Sequence, residues 1–339
     1  MIDPPGIDTA RLAAFLDSAA PGLVAGPITA TLIEGGRSNL TYVVTDGATR
    51  LVVRRPPLGH VLETAHDMSR EYRVISALAD TPVPVPVTYV LCEDAEVIGA
   101  PFYVMEWVAG TPYRSAADLE ALGREGIAEV SRRMIETLAT LHSIDPASVG
   151  LADFGRPQGF LERQVRRWTR QLESSHSRDL AGADELIDLL RERLPEEQPP
   201  AIVHGDYRLD NLLVDGDHRV AAVLDWEMAT LGDPLTDLGL LLVYQRLTRV
   251  GTALGNAADA PGYLTEEEML AVYREVSGRD LADMGFYLGL ASFKLAVILE
   301  GIHYRFSQGQ TVGEGFDAIG SAVEPLIASG IAALRSGVA

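Results

Sequence analysis

The chain has 339 residues, with 28 lysines and arginines against 48 aspartates and glutamates, a formal net charge of −20. That length suffices for two domains, each with its own core. The acidic balance argues against a nucleic-acid partner, because phosphate backbones call for clustered lysine and arginine. The single cysteine, Cys92, excludes an intramolecular disulfide and fits a reducing compartment.

In chain order, Met1-Ile2-Asp3-Pro4-Pro5 has neither the basic nor the apolar stretch of a signal peptide. A short amphipathic helix is expected from Asp8, a good N-cap, to about Ser18, and Pro21-Gly22 ends it. Strand-like segments follow at Ile28 to Glu34, Leu40 to Thr45 and Leu51 to Arg55, separated by Gly35-Gly36 and Asp46-Gly47. A helix is expected around His66 to Leu78, stopped by Pro82, Pro84 and Pro86. Thr88 to Cys92 and Phe102 to Val108 read as two more strands. Beyond Gly110 helical periodicity dominates, over Ile127 to His142, Leu161 to Leu172, Leu186 to Leu194, Leu235 to Tyr244, Glu266 to Val276 and Met284 to Phe306. The segment Gly251 to Gly262, rich in glycine and alanine, reads as a loop near a substrate site. The most apolar run, Phe286 to Tyr304, is broken by Lys294 and Glu300, so no membrane span is expected and the protein is read as soluble and cytoplasmic.

The fold class implied is α+β in two lobes. An antiparallel sheet with one helix forms a nucleotide-binding lobe over residues 1–108. A larger, mostly helical lobe over 109–339 carries catalysis and substrate binding. The nucleotide cleft is expected between them, near Val108 to Gly110.

The chemistry is concentrated in His204-Gly205-Asp206-Tyr207-Arg208-Leu209-Asp210-Asn211 and in Asp225-Trp226-Glu227. Asp206 and Asn211 have the spacing of a kinase catalytic loop, in which the aspartate takes the proton of the acceptor hydroxyl and the asparagine holds magnesium. Asp225 follows the apolar run Val220 to Leu224, where a second magnesium ligand is expected, and Asp215-Gly216 supplies the turn between the two strands. Magnesium prefers oxygen donors from one or two protein groups plus phosphates and water, so an amide oxygen and a carboxylate suit it. A zinc site would want a third nitrogen or sulfur donor beside His204 and Asp206. The bland alternative is a pair of solvated Asp-rich turns.

On the nucleotide side, Gly35-Gly36-Arg37-Ser38-Asn39 joins two strands, and Ser38 and Asn39 are placed at the phosphates. Kinases carry a lysine on the third strand to hold the α- and β-phosphates, paired with a helix glutamate. Lys294 is the only lysine in this chain. Arg54 takes the strand position and Glu71 is its expected partner, although a guanidinium is not equivalent to an ammonium. Strand alternation puts Val52 on the same face as Arg54, and Arg55 on the opposite, solvated face. Met105 is expected to wall the adenine pocket, with the backbone of Glu106 and Val108 meeting the base edge.

Other residues have plainer readings. His142 reads as a cap or core histidine. Trp168 with Arg163, Arg166 and Arg167 marks a basic amphipathic helix with a solvated face, the alternative being contact with an anionic substrate group. Lys294 and Arg305, about three turns apart on one helix face, read as structural ion pairs, the alternative being that they face the substrate cleft.

GGRSNLTYVV, LVVRRPP, SREYRVISAL, FYVMEWVAG, VGLADFGRPQGFLERQVRRW, HGDYRLDNLLVD and VLDWEMATLGDPLTDLG together resemble the aminoglycoside phosphotransferase and choline-kinase-like small-molecule kinases. The likeness runs from about Gly35 to Arg305, and it extends to the branch fused to, or encoded beside, acyl-CoA dehydrogenases. The resemblance implies a protein-kinase-like fold, Asp206 as catalytic base, and Asn211 with Asp225 as ligands of Mg2+. His204 would brace the loop, and Asp237 would stabilise it and cap its own helix. The reaction implied moves the γ-phosphate of ATP, or of GTP, to a hydroxyl of a small molecule. The branch points to a hydroxyacyl-CoA or hydroxy acid, whereas the family name and the acidic charge point to a cationic amino sugar. Gly205 in place of the protein-kinase loop arginine and Trp226-Glu227 in place of Phe-Gly depart from protein kinases, as does the lack of an evident activation segment before Pro234. A non-catalytic nucleotide-binding module is the reading motivated by the missing lysine.

Overall fold

The computed structural model describes residues 3–33, 39–59, 67–175, 178–247, 256–309 and 319–336. The chain forms two compact units. The first comprises Met1–Gly110 together with Ala221–Ala229, and the second Thr111–Val220 with Thr230–Ala339.

In the first unit, α1 (Thr9–Ala19) precedes β1 (Thr29–Leu32), β2 (Leu40–Thr45), β3 (Arg50–Arg55), α2 (Met68–Leu78), β4 (Thr88–Cys92) and β5 (Phe102–Glu106). The strands make one antiparallel sheet in the order β1-β2-β3-β5-β4. Its two faces are set by alternation along β-branched and aromatic runs. Tyr42, Val44, Leu51, Val53, Phe102 and Val104 form one face and pack with Leu12 and Leu16 of α1, Ile7 and Ile98. Asp8 caps α1 by accepting from the Arg11 amide. On the other face α2 approaches β5, where the Tyr72 and Tyr103 rings meet edge to face. Asp67 caps α2 by accepting from the Arg70 amide at 3.0 Å, so the helix begins at Met68 rather than His66, which lies outside the described residues.

Arg55 corrects the sequence reading. It does lie opposite Arg54, but that face is covered by α1 and the loops beside it, so Arg55 is buried. Its guanidinium is satisfied by the carbonyls of Gly6 at 2.5 Å, Ile98 at 2.8 Å and Pro56 at 3.1 Å. Such a charge is tolerated because carbonyls replace its water.

Residues 221–229 are stitched to this unit by two backbone acceptors. The Val223 amide donates to the Pro84 carbonyl at 2.8 Å, and Arg70 Nη2 to the Ala229 carbonyl at 3.1 Å.

The second unit holds α3 (Ala116–Leu119), α4 (Gly123–Ser143), α5 (Phe160–Ser175), α6 (Ala183–Glu192), β6 (Ala201–Val203) and β7 (Leu212–Val214). β8 (Val220–Val223) then leads into the 221–229 segment, and β9 (Thr230–Gly232), α7 (Leu235–Arg246), α8 (Glu266–Ser277), α9 (Met284–Ser307) and α10 (Val323–Ser336) complete it. The Asp215 amide donates to the Arg219 carbonyl at 2.9 Å and closes the turn after β7.

Contrary to the expectation from sequence, α9 is long and apolar enough to cross a membrane, yet 83% of its most apolar stretch is buried inside the protein. Its surface is spent on packing against α5, α7 and α10. Close approach of α7 and α9 needs Gly239, where a Cβ would lie 2.8 Å from the Tyr287 carbonyl oxygen. No helix is expected from the sequence after Phe306, yet α10 forms and contains Pro325. Pro325 falls in the first turn, where a missing amide costs nothing.

Candidate active site

The loop that carries Asp206 is built between β6 and the short 3-10 turn Leu209–Asn211. β6 is fixed by antiparallel pairing with β9. Gly205 turns the chain at φ +87°, in the left-handed region that side chains rarely adopt. His204 is fully buried, and its Nδ1 accepts from the Asp206 amide at 3.3 Å. Tyr207, also buried, donates its hydroxyl to the Met134 carbonyl at 2.8 Å and so pins the loop to α4.

Asp237 locks this turn. Its carboxylate accepts from the amides of His204 at 2.6 Å and Gly205 at 2.8 Å, and its Oδ2 lies 3.3 Å from His142 Nε2. Burial works against the charge, but His142, His204 and the Gly205 amide outweigh it and hold the Asp237 carboxyl below its ordinary range. His142 is a core histidine whose Nδ1 also meets the Tyr273 hydroxyl at 2.8 Å. Asp237 does not cap its helix: Pro234 stands at the N-cap of α7, and the Leu235 amide is accepted by Asp233 Oδ1 at 3.0 Å. Asp237 lies inside the first turn of α7 and is aimed at the loop.

The Asp206 carboxylate has two partners in this unit. Tyr244 donates its hydroxyl to Oδ1 at 2.9 Å, and Asn211 Nδ2 lies 3.3 Å from Oδ2. Asn211 Nδ2 also donates to the Asp206 carbonyl at 2.9 Å. With its amide nitrogen spent on Asp206, Asn211 keeps its oxygen for another ligand. Arg208 pairs bidentately with Asp210 and lies 4.8 Å from the Tyr244 ring centroid. Lys294 Nζ donates to the Gly205 carbonyl at 2.8 Å and lies 5.7 Å from the Trp168 ring centroid. Among the described residues it makes no ion pair with a carboxylate, which corrects the structural ion pairs expected of it.

In the first unit the polar cluster centres on Arg54 of β3. Its Nε lies 2.8 Å from Glu71 Oε2, an ion pair in which the N–H is not aimed for a hydrogen bond. Its Nη2 binds Asp225 Oδ1 and lies 3.9 Å from Glu227 Oε2. Asn39 Nδ2 bridges Glu71 Oε1 at 3.0 Å and Glu227 Oε2 at 3.1 Å, and the Tyr103 hydroxyl donates to Glu71 Oε2 at 3.0 Å. Burial pushes Glu71 up to about 7 although Arg54 pulls the other way. Burial also opposes the Arg54 charge, but Glu71, Tyr103, Asp225 and Glu227 raise its pKa above its ordinary value. Asp225 adopts a left-handed backbone at φ 66°, ψ 59°, unusual for a residue with a Cβ and of the kind found at functional sites.

Val52 and Met105 are register partners on the Arg54 face, both nearly buried. The Glu106 amide donates to the Val87 carbonyl at 2.8 Å, so that donor is not available to a base. Ser38, like Gly35 to Arg37, lies outside the described residues, as does Gly251 to Gly255 of the expected loop.

The structure therefore gathers Asn39, Arg54, Glu71 and Asp225 in the first unit, and Asp206 and Asn211 in the second. Sequence reasoning missed Tyr244, Tyr103 and Glu227, and it singled out Lys294 without placing it at the Asp206 loop. One signal could have found Tyr244. It lies seven residues after Asp237, two helical turns on, and so on the same face of α7.

The profile of the phosphotransferase enzyme family (APH) matches residues 29–276, and the chain belongs to that family. Acyl-CoA dehydrogenase family member 11 of Rattus norvegicus is 33% identical over 334 residues. That match takes in 96% of this chain and 43% of the rat protein, so the chain spans less than half the length of the curated relatives it matches. A crystal structure from Ralstonia eutropha JMP134, provisionally assigned as an aminoglycoside phosphotransferase, superposes with a TM-score of 0.84 at 34% identity, over 97% of this chain and 98% of that one. A thermostable aminoglycoside phosphotransferase APH(4)-Ia variant, solved with AMP-PNP and hygromycin B, shares the fold at a TM-score of 0.61 and 16% identity, over 97% and 99% of the two chains. The α+β architecture is thus that of the kinase-like phosphotransferases.

Proposed function

We propose that this chain is a magnesium-dependent kinase that transfers the γ-phosphoryl group of ATP to a hydroxyl of a small molecule. The observation that carries the reading is the setting of Asp206. Its carboxylate is oriented by Tyr244 and Asn211 on a loop whose amides are locked by buried Asp237. A base must be held where it can reach one proton, and this loop is braced on β6, α4, α7 and α9.

The donor chemistry fits magnesium. Asn211 has its amide oxygen unspent, and Asp225 is a carboxylate held in a strained turn. Among the described residues no group of three or more His, Cys, Asp or Glu side chains could hold a metal. Two oxygen donors leave the remaining positions to phosphate and water, which is the usual protein share for this ion. When bound, the ion neutralises the phosphate charge.

The chain's own residues do the rest. Arg54, held by Glu71, offers its guanidinium to the phosphates, with Asn39 joined to the same glutamate. Val52 and Met105 wall the base, and the backbone of Val108 meets its edge, with only the carbonyl left to Glu106 for that role. Asp206 accepts the acceptor's proton as that oxygen bonds to the γ-phosphorus. The bond from phosphorus to the bridging β–γ oxygen breaks, and ADP leaves with its electron pair.

ATP is chosen because a phosphotransferase of the same fold was solved with an ATP analogue. For the acceptor, the acyl-CoA dehydrogenase relatives support a hydroxyacyl group, free or as its CoA thioester. The test is ADP release over a panel of hydroxy acids, hydroxyacyl-CoAs, aminoglycosides and choline-like alcohols, with ATP or GTP, using Asp206→Asn as control. Acceptor-dependent release that disappears in the variant is expected. Undiminished release in the variant would refute Asp206 as the base.

A further inference from the structure

Among the described residues, one cation near the proposed base makes no ion pair. Lys294 lies on the mostly apolar helix α9, and the residue is partly buried. Leaving such a charge unpaired is costly. Of its three donors, one goes to the Gly205 carbonyl, the residue beside Asp206, and the rest have no acceptor among the described residues.

A second cation converges on the same indole. The Arg167 side chain is exposed, its guanidinium lies 5.3 Å from the Trp168 ring centroid, and among the described residues it has no carboxylate or carbonyl partner. Neighbouring arginines do have partners, as in the Arg166 pair with Glu162. Burial holds the Lys294 ammonium below its ordinary range and Arg167 adds to that, while Asp206 and Asp237 act the other way. Arg167 and Lys294 are therefore close enough to repel. Trp168 itself is buried and gives both cations an aromatic face. Asp206 and Asp237 thus offset part of the burial, yet neither pairs with the ammonium, and the two cations on one ring make a positively charged rim beside the base that suits an anion.

We propose that Lys294, Arg167 and Trp168 form an anion subsite of the acceptor, which carries a negatively charged group that binds Lys294 while its hydroxyl is offered to Asp206. This rests on the phosphotransferase reading above and narrows its substrate class to hydroxylated acids or their anionic conjugates. A polycationic amino sugar would be repelled by the same pair. Lys294 is a specificity residue, and the anion it takes is a carboxylate of a free acid or a phosphate of a CoA conjugate.

The chain offers a direct probe, since its only lysine gives one side-chain ammonium resonance when the full chain is labelled with [15N]lysine. The signal is assigned by its loss in Lys294→Arg. Titrations use 3-hydroxybutyrate, 3-hydroxyhexanoate, their methyl esters, 3-hydroxybutyryl-CoA and kanamycin. A saturable shift is expected with the acids and not with the esters or kanamycin. A shift with the CoA thioester alone assigns the anion to the CoA phosphates. No shift with any anionic compound overturns the subsite.

Kinetics supply the second arm. Lys294→Gln should raise KM for the anionic acceptor about ten-fold or more, the loss of one charge-assisted contact, with the nucleotide KM unchanged and Lys294→Arg partly restoring it. Acceptor-dependent ADP release without any resonance shift would sink the subsite and leave the kinase standing. A saturable shift without ADP release from any acceptor would do the reverse.

Discussion

Replacing Asp237 by asparagine tests the claim that one buried carboxylate sets the catalytic loop. Asp237 Oδ2 serves the His204 amide and His142 Nε2, and Oδ1 serves the Gly205 amide. Asparagine has the same shape but one carbonyl oxygen. Whichever way it turns, an NH2 group faces a backbone amide that has no water to turn to. A hydrogen bond to a charged group contributes about 1.5–3 kcal/mol, and an orphaned buried donor costs about 1–3 kcal/mol. The sum is roughly 3–5 kcal/mol, the range expected for breaking a buried charged network. That is a large share of a stability of about 5–15 kcal/mol, yet it leaves a folded protein at 25 °C. At about 2–4 °C per kcal/mol for a domain of this size, the lower figure predicts a Tm lowered by roughly 6–12 °C. Urea unfolding should show the midpoint falling with an unchanged m-value. Turnover should also fall by on the order of 100-fold, since misplacing a catalytic group by about 1 Å costs that much. A loss of stability under about 1 kcal/mol, with turnover retained, would refute the locking role.

Tyr244→Phe removes the hydroxyl that orients Asp206 Oδ1 and leaves the ring beside Arg208. At about 1.5–3 kcal/mol for a hydrogen bond to a charged group, kcat should drop roughly 10- to 100-fold with the nucleotide KM unchanged, and wild-type kcat in steady-state assays would show the bond is idle. His142 gives a pH signature, because burial holds its pKa below the ordinary 6.5 although Asp237 pulls upward. The folded chain keeps it neutral while the unfolded chain takes the proton, so its contribution is whole above pH 6.5 and is lost as pH falls toward the folded pKa, at up to about 1.4 kcal/mol per unit. Urea unfolding between pH 7.5 and 5 should show that slope, and an equal slope in His142→Gln would exclude this histidine as its source.

What the sequence made legible was local. Val52 and Arg54 share a face because strands alternate, and Asp206, Asn211 and Asp225 stand out because magnesium chemistry fixes residue types at short spacings. The same alternation misled at Arg55. It gives which face a residue takes but not whether that face is covered, and the cover here comes from Gly6 and Ile98, 49 and 43 residues away in sequence. The resemblance gave Asp237 two roles; it does hold the turn after β6, but the first amide of α7 is taken by Asp233 instead.

The acceptor side was harder to read for a related reason. Catalytic and metal-binding residues announce themselves by type, whereas a specificity residue is an ordinary side chain on an ordinary helix. Lys294 interrupts the most apolar helix in the chain, and from sequence the economical account was an ion pair. The structure gives it a carbonyl and an indole instead, beside the proposed base. Kinases place a lysine on the phosphates; this chain has arginine there and keeps its one lysine on the Asp206 side. That division suits the chemistry of the two groups. A guanidinium has five donors in a fixed fork, enough to hold Glu71 and Asp225 together. An ammonium is a compact point charge with rotatable donors, better fitted to follow a small acceptor anion as the hydroxyl oxygen moves toward phosphorus.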